Sequence, residues 1–234
     1  MIDSNSYASP YTVAAQPTDV RATFIRKTYA HLGGSILAFI LLEAMLFKIP
    51  AMEQLGMMMM GNWWIVLIAY MGISFFASKW AVSSTSLNTQ YAGLGLFVIA
   101  EAIIFYPILY IANLYFEGII LQAGVITMTL FAGITAIAFI TKKDFSFLNS
   151  FLMIGGFVAL GLIFASMIFG FSLGIIFSAA MALFAGVAIL RDTSNVIHHY
   201  RTDQYVAASL GLFASVALLF WYVIQILMSL AGRD

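Results

Sequence analysis

The chain has 234 residues, of which 63% are hydrophobic and 9% are charged, and its formal net charge is zero. Soluble domains carry about 25% charged residues, so a chain with a mean hydropathy of +1.01 is expected to lie in lipid rather than in water. The zero net charge gives no basic face for nucleic acid, and the absence of cysteine excludes disulfides and thiolate metal sites.

The polar amino-terminal segment, residues 1–28, is predicted to be a disordered cytoplasmic tail. It contains Pro10 and Pro17 and few large apolar residues. Its basic residues are not followed directly by an apolar core near the chain start, so we do not expect a cleaved signal peptide. Residues 29–234 are predicted to form one transmembrane domain.

Seven downstream stretches are long and apolar enough to cross a membrane as helices, which need about 20 residues. Their apolar runs are continuous and lack two-residue alternation, which favours helices over a barrel. We therefore predict an all-α membrane protein, a bundle of seven transmembrane helices. The predicted spans are approximately 31–47, 63–78, 91–114, 118–141, 145–169, 173–190 or beyond, and 205–230.

Basic residues are distributed unevenly between the two sides of this topology. With the amino terminus inside, one side holds eight of the ten lysines and arginines, and the other holds only Lys48 and Arg233. Because cytoplasmic loops carry the excess of positive charge, we predict that the amino terminus lies in the cytoplasm and the carboxyl terminus outside. The cytoplasmic set is Arg21, Arg26, Lys27, Lys79, Lys142, Lys143, Arg191 and Arg201.

Three carboxylates fall within the predicted spans, where charge is costly and usually functional. Glu43 lies in the first span, close enough to Lys48 that its side chain could instead extend toward the membrane surface. Glu101 lies in the middle of the third span, about ten residues from either end, and must be protonated, paired or in a wet cavity. Asp192 lies at the inner end of the sixth span.

The sequence AILRDTSNVIHHY, residues 188–200, places several ionisable groups at the end of an apolar run. If the sixth helix continues past residue 190, Asp192, Asn195 and His199 share one face at spacings of three and seven. Such a row of carboxylate, amide and imidazole is suited to admit a proton or a cation. Two alternatives remain open: ordinary anchors at the membrane surface with Asp192 as their counter-ion, or a polar network that only fixes two helices.

Enzymatic activity is not expected from this sequence. A zinc hydrolase needs about three protein ligands, typically with two histidines one helical turn apart. His198 and His199 are adjacent and point in different directions on a helix, and His31 is the only other histidine. The chain also lacks a G-x-S-x-G motif and a glycine-rich phosphate loop, and no cofactor is implied.

Two stretches of the sequence resemble a known family. TKKDFSFLNSFL at 141–152 and ILRDTSNVIHHYRTDQYVAASLGLF at 189–213 resemble the Bax inhibitor-1 family, also called the transmembrane Bax-inhibitor-motif family, and in particular its bacterial YccA-like branch. The resemblance covers about residues 20–234. It implies a bundle with the seventh span near its centre.

In this family, two aspartates near the sixth and seventh spans share a proton and gate a calcium leak. The resemblance places Asp192 at the first of these positions and the second near Phe213 or Ala214, but no carboxylate lies between 205 and 230. A single carboxylate offers calcium few of the hard oxygen ligands that it prefers, unless Glu43 or Glu101 joins it.

The YccA-like branch also lacks the second aspartate, and its members act as modulators and slow substrates of the membrane AAA protease FtsH. The leading hypothesis from the resemblance is therefore a protease modulator in the bacterial inner (plasma) membrane, with a cytoplasmic tail that the protease engages. The second hypothesis is a pH-sensitive calcium or other cation leak with Asp192 as the gating carboxylate and the direct ligand of calcium, if calcium passes.

Overall fold

A computed structural model describes residues 12–83 and 86–232 of the chain. These residues form eight α-helices, preceded by a short 3-10 turn at Val13–Ala15. The described ranges contain no β-strand, only an isolated bridge between Thr12 and Arg201. The helices are α1 (Thr18–Leu46), α2 (Pro50–Gly61), α3 (Trp63–Ala81), α4 (Leu87–Tyr115), α5 (Ile119–Thr141), α6 (Leu148–Phe169), α7 (Gly174–His198) and α8 (Tyr205–Ala231).

Seven of these helices, all except α2, are long and apolar enough to cross a membrane. The predicted all-α bundle of seven transmembrane helices is therefore confirmed in the part of the chain that the structure describes. Most helix ends lie within about one turn of the predicted boundaries. The start of α1 differs, and α7 takes the longer of the two predicted courses, since it continues past residue 190 to His198.

Helix α1 begins at Thr18, inside the predicted tail 1–28. Its first turns place Phe24 and Thr28 four residues apart on one face, and both side chains are buried. Because this face packs into the bundle, the segment is helical despite its polar composition, and disorder does not extend to residues 18–28. Val13, in the turn before α1, is also buried. Residues 1–11 lie outside the described residues.

Helix α8 lies at the centre of the bundle, where it packs against α1, α3, α4, α5 and α7. Leu212, Leu219 and Ile224 are buried at successive levels along it. A helix that is apolar on all sides can be surrounded by other helices, and its alanines and serines allow close approach. The central seventh span that the resemblance implies is thus present as α8.

Helices α3 and α4 come into close contact at Gly93. A β-carbon at this position would lie 2.5 Å from the carbonyl oxygen of Ala77 and 2.6 Å from the amide nitrogen of Ala81. Real β-carbons do not approach backbone atoms this closely, so the contact requires glycine on α4 and small residues on α3.

The two ends of the bundle differ in charge. Since consecutive spans run in opposite directions, the start of α1 and the ends of α3, α5 and α7 lie together, and this end is called the basic end below. It carries the eight basic residues named above. At the other end, called the opposite end, Lys48 follows α1, while Arg233 lies outside the described residues.

Candidate functional site

Asp192 is buried near the basic end, with 6% of its surface exposed. Its Oδ1 lies 2.7 Å from Nη1 of Arg191, and its Oδ2 accepts a hydrogen bond of 2.5 Å from the Ser215 hydroxyl on α8. We call these three residues the Asp192 cluster. The cluster joins α7 to the central helix, and each carboxylate oxygen has one partner.

The Asp192 cluster contains neither Asn195 nor His199. Asn195 is half-buried, and its backbone carbonyl accepts a hydrogen bond of 2.8 Å from the His199 amide. The predicted row of carboxylate, amide and imidazole is therefore not brought together. The reason is local, because α7 ends at His198, so His199 lies just beyond the helix and its ring is exposed.

The His199 ring interacts instead with the connection between α5 and α6. Its Nε2 lies 3.0 Å from both carboxylate oxygens of Asp144, and the Ser146 amide donates to Asp144 Oδ1 at 2.8 Å. Partial burial alone would raise the pKa of Asp144, but the hydrogen bonds from His199 and Ser146 outweigh it and hold that pKa below its usual value. This pair fixes a surface loop and is separate from Asp192.

Ser215 and Tyr200 are two members of this region that the sequence does not single out. Ser215 follows directly after the positions, Phe213 and Ala214, at which the resemblance places a second carboxylate. A hydroxyl on α8 thus bonds to Asp192 there. Tyr200 lies close enough that burial, together with the negative charge of Asp192, raises its pKa to about 12 against the opposing effect of Arg191.

Glu101 is buried in the middle of α4, at 4% exposure. The Tyr70 hydroxyl on α3 donates a hydrogen bond of 2.5 Å to its Oε1. Both residues line an open cavity of about 810 Å³ that α3, α4, α6, α7 and α8 border, called the Glu101 cavity. Ser178 and Gln225 bond to each other at 3.0 Å in its wall. Glu101 is therefore paired within the bundle and apart from the Asp192 cluster.

The sequence allows the Glu43 side chain to extend toward the membrane surface near Lys48, but the structure does not show this. That side chain is buried at 6% exposure, and neither carboxylate oxygen has a hydrogen-bond partner among the described residues. It lines a second cavity, of about 1320 Å³, between α1, the end of α4, α5 and α8. We call this the Glu43 cavity.

The three membrane carboxylates thus occupy three separate places. Within residues 12–83 and 86–232, no group of three or more histidine, aspartate or glutamate side chains could hold a metal ion. Calcium prefers six to eight oxygen ligands, and both oxygens of Asp192 already have partners. An ion at Asp192 would therefore have to be bound weakly, as an ion in transit is.

Comparison with known proteins identifies the family. The family described as "Inhibitor of apoptosis-promoting Bax1" matches residues 21–232. The match includes α7, the Asp192 cluster and the central α8. The chain belongs to the Bax inhibitor-1 family, and the resemblance of the sequence to that family is confirmed.

Three relatives illustrate the breadth of the family. An uncharacterized protein of Pseudomonas aeruginosa is 32% identical over 184 residues, which cover 74% of this chain and 77% of that protein. Bax inhibitor 1 of Schizosaccharomyces pombe is 29% identical over 95% of this chain and 82% of its own. The Golgi anti-apoptotic protein of Vaccinia virus is 26% identical over 96% and 92% of the two chains.

Proposed function

We propose that the protein is a pH-sensitive leak for calcium or another cation, with Asp192 as the gating carboxylate. The observation that carries this proposal is the Asp192 cluster: a buried carboxylate beside the central helix, held by one arginine and one serine. Intramembrane carboxylates typically mark ion or proton paths. Protonation of Asp192 would remove its ion pair with Arg191 and loosen the junction between α7 and α8.

The position of Glu101 supports the same function. The Glu101 cavity borders α8 from Ala214 to Ser229, so it extends from the level of the Asp192 cluster toward the opposite end. A cation that moves along α8 from the opposite end would meet Glu101 first and the Asp192 cluster afterwards. With the basic end on the cytoplasmic side of a bacterial plasma membrane, Asp192 is the inner gate.

Calcium flux into proteoliposomes at about pH 6 and pH 8 tests the proposal. We expect flux that depends on pH in the wild type and loses this dependence in Asp192→Asn. Asp203→Asn is the matched control, because Asp203 pairs with Arg201 at an exposed position. Flux no greater than that of empty liposomes contradicts a calcium leak. Unchanged flux in Asp192→Asn with a lower melting temperature assigns Asp192 to helix packing alone.

The amino-terminal segment supports a second proposal, in which the protein is a modulator and slow substrate of the membrane protease FtsH. The Val13 amide donates to the Tyr200 carbonyl at 2.9 Å, Thr12 bridges to Arg201, and Val13 is buried. A protease that pulls on this segment would first have to detach it from the connection between α7 and α8. Such a docked segment is consistent with slow degradation.

Co-purification and degradation assays with the protease test the second proposal. Val13→Asp should release the segment, because a carboxylate cannot be buried there without a partner. We expect this variant to be degraded several-fold faster, while Val82→Asp, at an exposed position, leaves the rate unchanged. Equal degradation of the wild type and Val13→Asp, or no co-purification, would contradict a role for this segment. The leak assay is independent of this result.

A further inference from the structure

The Glu43 cavity contains two buried polar side chains that lack partners. The carboxylate oxygens of Glu43 and the hydroxyl oxygen of Thr127 make no hydrogen bond within the described ranges, and the two residues are only 6% and 2% exposed. Buried polar atoms are nearly always paired, and an unpaired one costs free energy. Both residues line the same cavity, Glu43 from α1 and Thr127 from α5.

Two of the four threonines of α5 satisfy their hydroxyls within the helix. The hydroxyls of Thr129 and Thr141 donate to the carbonyls of Val125 and Ile137, both at 2.8 Å. This bond to the preceding turn is the usual solution for threonine in an apolar helix. The hydroxyls of Thr127 and Thr135 make no such bond among the described residues, so it is the Glu43 carboxylate that distinguishes this cavity.

The lining of the cavity favours a cationic occupant. It contains the carboxylates of Glu43 and Glu117, and no lysine, arginine or histidine among the described residues that form it. Phe39, Phe213 and Phe220 supply aromatic surface, which attracts organic cations. A metal ion is a poor match, because no group of three or more carboxylate or imidazole side chains that could hold one is found among the described residues.

The shape of the cavity indicates an elongated apolar occupant. Its lining follows α5 from Ile120 to Ala132, about 18 Å of helix. Glu43 precedes the last residue of α1, Leu46, by three positions, which places it about 4.5 Å below the end of that helix. The carboxylate thus lies near the membrane surface at the opposite end, and the apolar part of the cavity extends inward from it.

We propose that the Glu43 cavity binds an amphiphilic amine, a molecule with one apolar chain that ends in a primary ammonium group. The ammonium pairs with the Glu43 carboxylate, and the apolar chain lies along α5. A zwitterionic lipid headgroup fits less well, because its phosphate would come close to Glu43 and Glu117. The site is independent of the Asp192 cluster and of whether the protein conducts ions.

Binding of dodecylamine to the purified full-length protein in detergent tests the proposal, with equilibrium dialysis of the labelled amine as the measurement. We expect Glu43→Gln to weaken binding about tenfold or more, since it removes a charge-assisted hydrogen bond from an apolar site. Glu101→Gln is the matched control, a buried carboxylate in the other cavity, and should bind as the wild type does.

A second variant fills the cavity without touching Glu43. Gly124 lines the cavity on α5, and a β-carbon added there meets no atom within 4 Å. Gly124→Phe places an aromatic ring in this space and should lose amine binding, with its melting temperature measured to confirm that it folds. This variant keeps the test decisive even if Glu43→Gln does not fold.

Four results would overturn the proposal. They are equal binding of dodecylamine and dodecanol, equal binding by wild type and Glu43→Gln, unchanged binding by a folded Gly124→Phe, and equally effective displacement of the amine by phosphatidylethanolamine. The first result would assign the cavity to apolar partition, and the last would assign it to a membrane lipid. None of them depends on calcium flux, so failure here is distinguishable from failure of the proposed leak.

Discussion

The carboxylates near the two ends of the bundle have different surroundings. At the basic end, Asp192 has a partner on each oxygen, Ser194 on α7 accepts from the Phe145 amide at 2.9 Å, and His199 contacts Asp144. Two cavities open beside α8, and the Glu43 carboxylate, near the opposite end of α1, has no partner among the described residues. The carboxylates at the basic end are therefore held by other side chains, whereas that of Glu43 faces a cavity with room for a ligand.

The largest effect is expected where α3 and α4 meet, since this contact closes the half of the bundle near the basic end. Gly93→Ala should destabilise the protein by about 2–3 kcal/mol, because the added carbon collides with backbone atoms of α3 that cannot rotate away. Thermal unfolding in detergent measures it. Gly95→Ala is the control, since a β-carbon there meets nothing within 4 Å. Equal melting temperatures for both variants would contradict the close contact.

Removal of the Asp192 carboxylate should have the next largest effect on stability. Asp192→Ala leaves Arg191 and Ser215 without their partner, and we expect a loss of about 2 kcal/mol, reduced because Arg191 is 29% exposed. The same unfolding assay measures it. Asp203→Ala, which breaks an exposed pair, should change stability by less than about 1 kcal/mol. Equal losses of stability in Asp192→Ala and Asp203→Ala would show that the basic end does not depend on the Asp192 cluster.

Replacement of the carboxylate in the Glu43 cavity is not expected to lower the stability of the protein. Glu43→Leu replaces an unpartnered buried carboxylate with an apolar side chain, so the stability of the protein without ligand should be unchanged or rise by about 1 kcal/mol. Melting temperatures of Glu43→Leu and Asp192→Leu, measured side by side, compare the two ends directly. A large loss of stability in Glu43→Leu would show that this carboxylate has a structural partner.

The smallest effect concerns the exposed pair of Asp144 and His199. The pKa of Asp144 is lower in the folded state than in the unfolded state. The pair therefore stabilises the fold when the pH is above the unfolded-state pKa, and this stabilisation is lost as the pH falls through the folded-state pKa. Both side chains are nearly half exposed, so His199→Gln should cost less than about 1 kcal/mol near pH 7. Unfolding at falling pH should show this cost shrink below about pH 4; a constant or growing difference would refute the pairing.

Much of the fold follows from hydropathy alone. Lipid requires continuous apolar helices, so the seven spans are predictable from the length of each apolar run. The start of α1 cannot be predicted in this way, because residues 18–30 are largely polar. Their helix depends on one buried face, at Phe24 and Thr28, that packs against other helices. Local composition does not contain that tertiary contact.

The candidate site is predictable only in part, for a similar reason. Burial of Asp192 and Glu101 could be inferred from their place in the spans, and the structure agrees. Their hydrogen-bond partners, Ser215 and Tyr70, could not be inferred, because these residues lie on other helices. One sequence does not show how neighbouring helices align. The row of Asp192, Asn195 and His199 assumed that α7 continues through residue 199, whereas it ends one residue earlier.

The central position of α8 has a consequence for how the protein is made. Ribosomes synthesise chains from the amino terminus, and α8 is the last of the described helices, yet five other helices pack against it. Until α8 inserts, Asp192 has no Ser215 to bond with, and the faces of five helices that pack against α8 are in contact with lipid. We therefore expect the earlier helices to form partial contacts, such as that of α3 with α4, and the bundle to close only after the last of the described helices has been made.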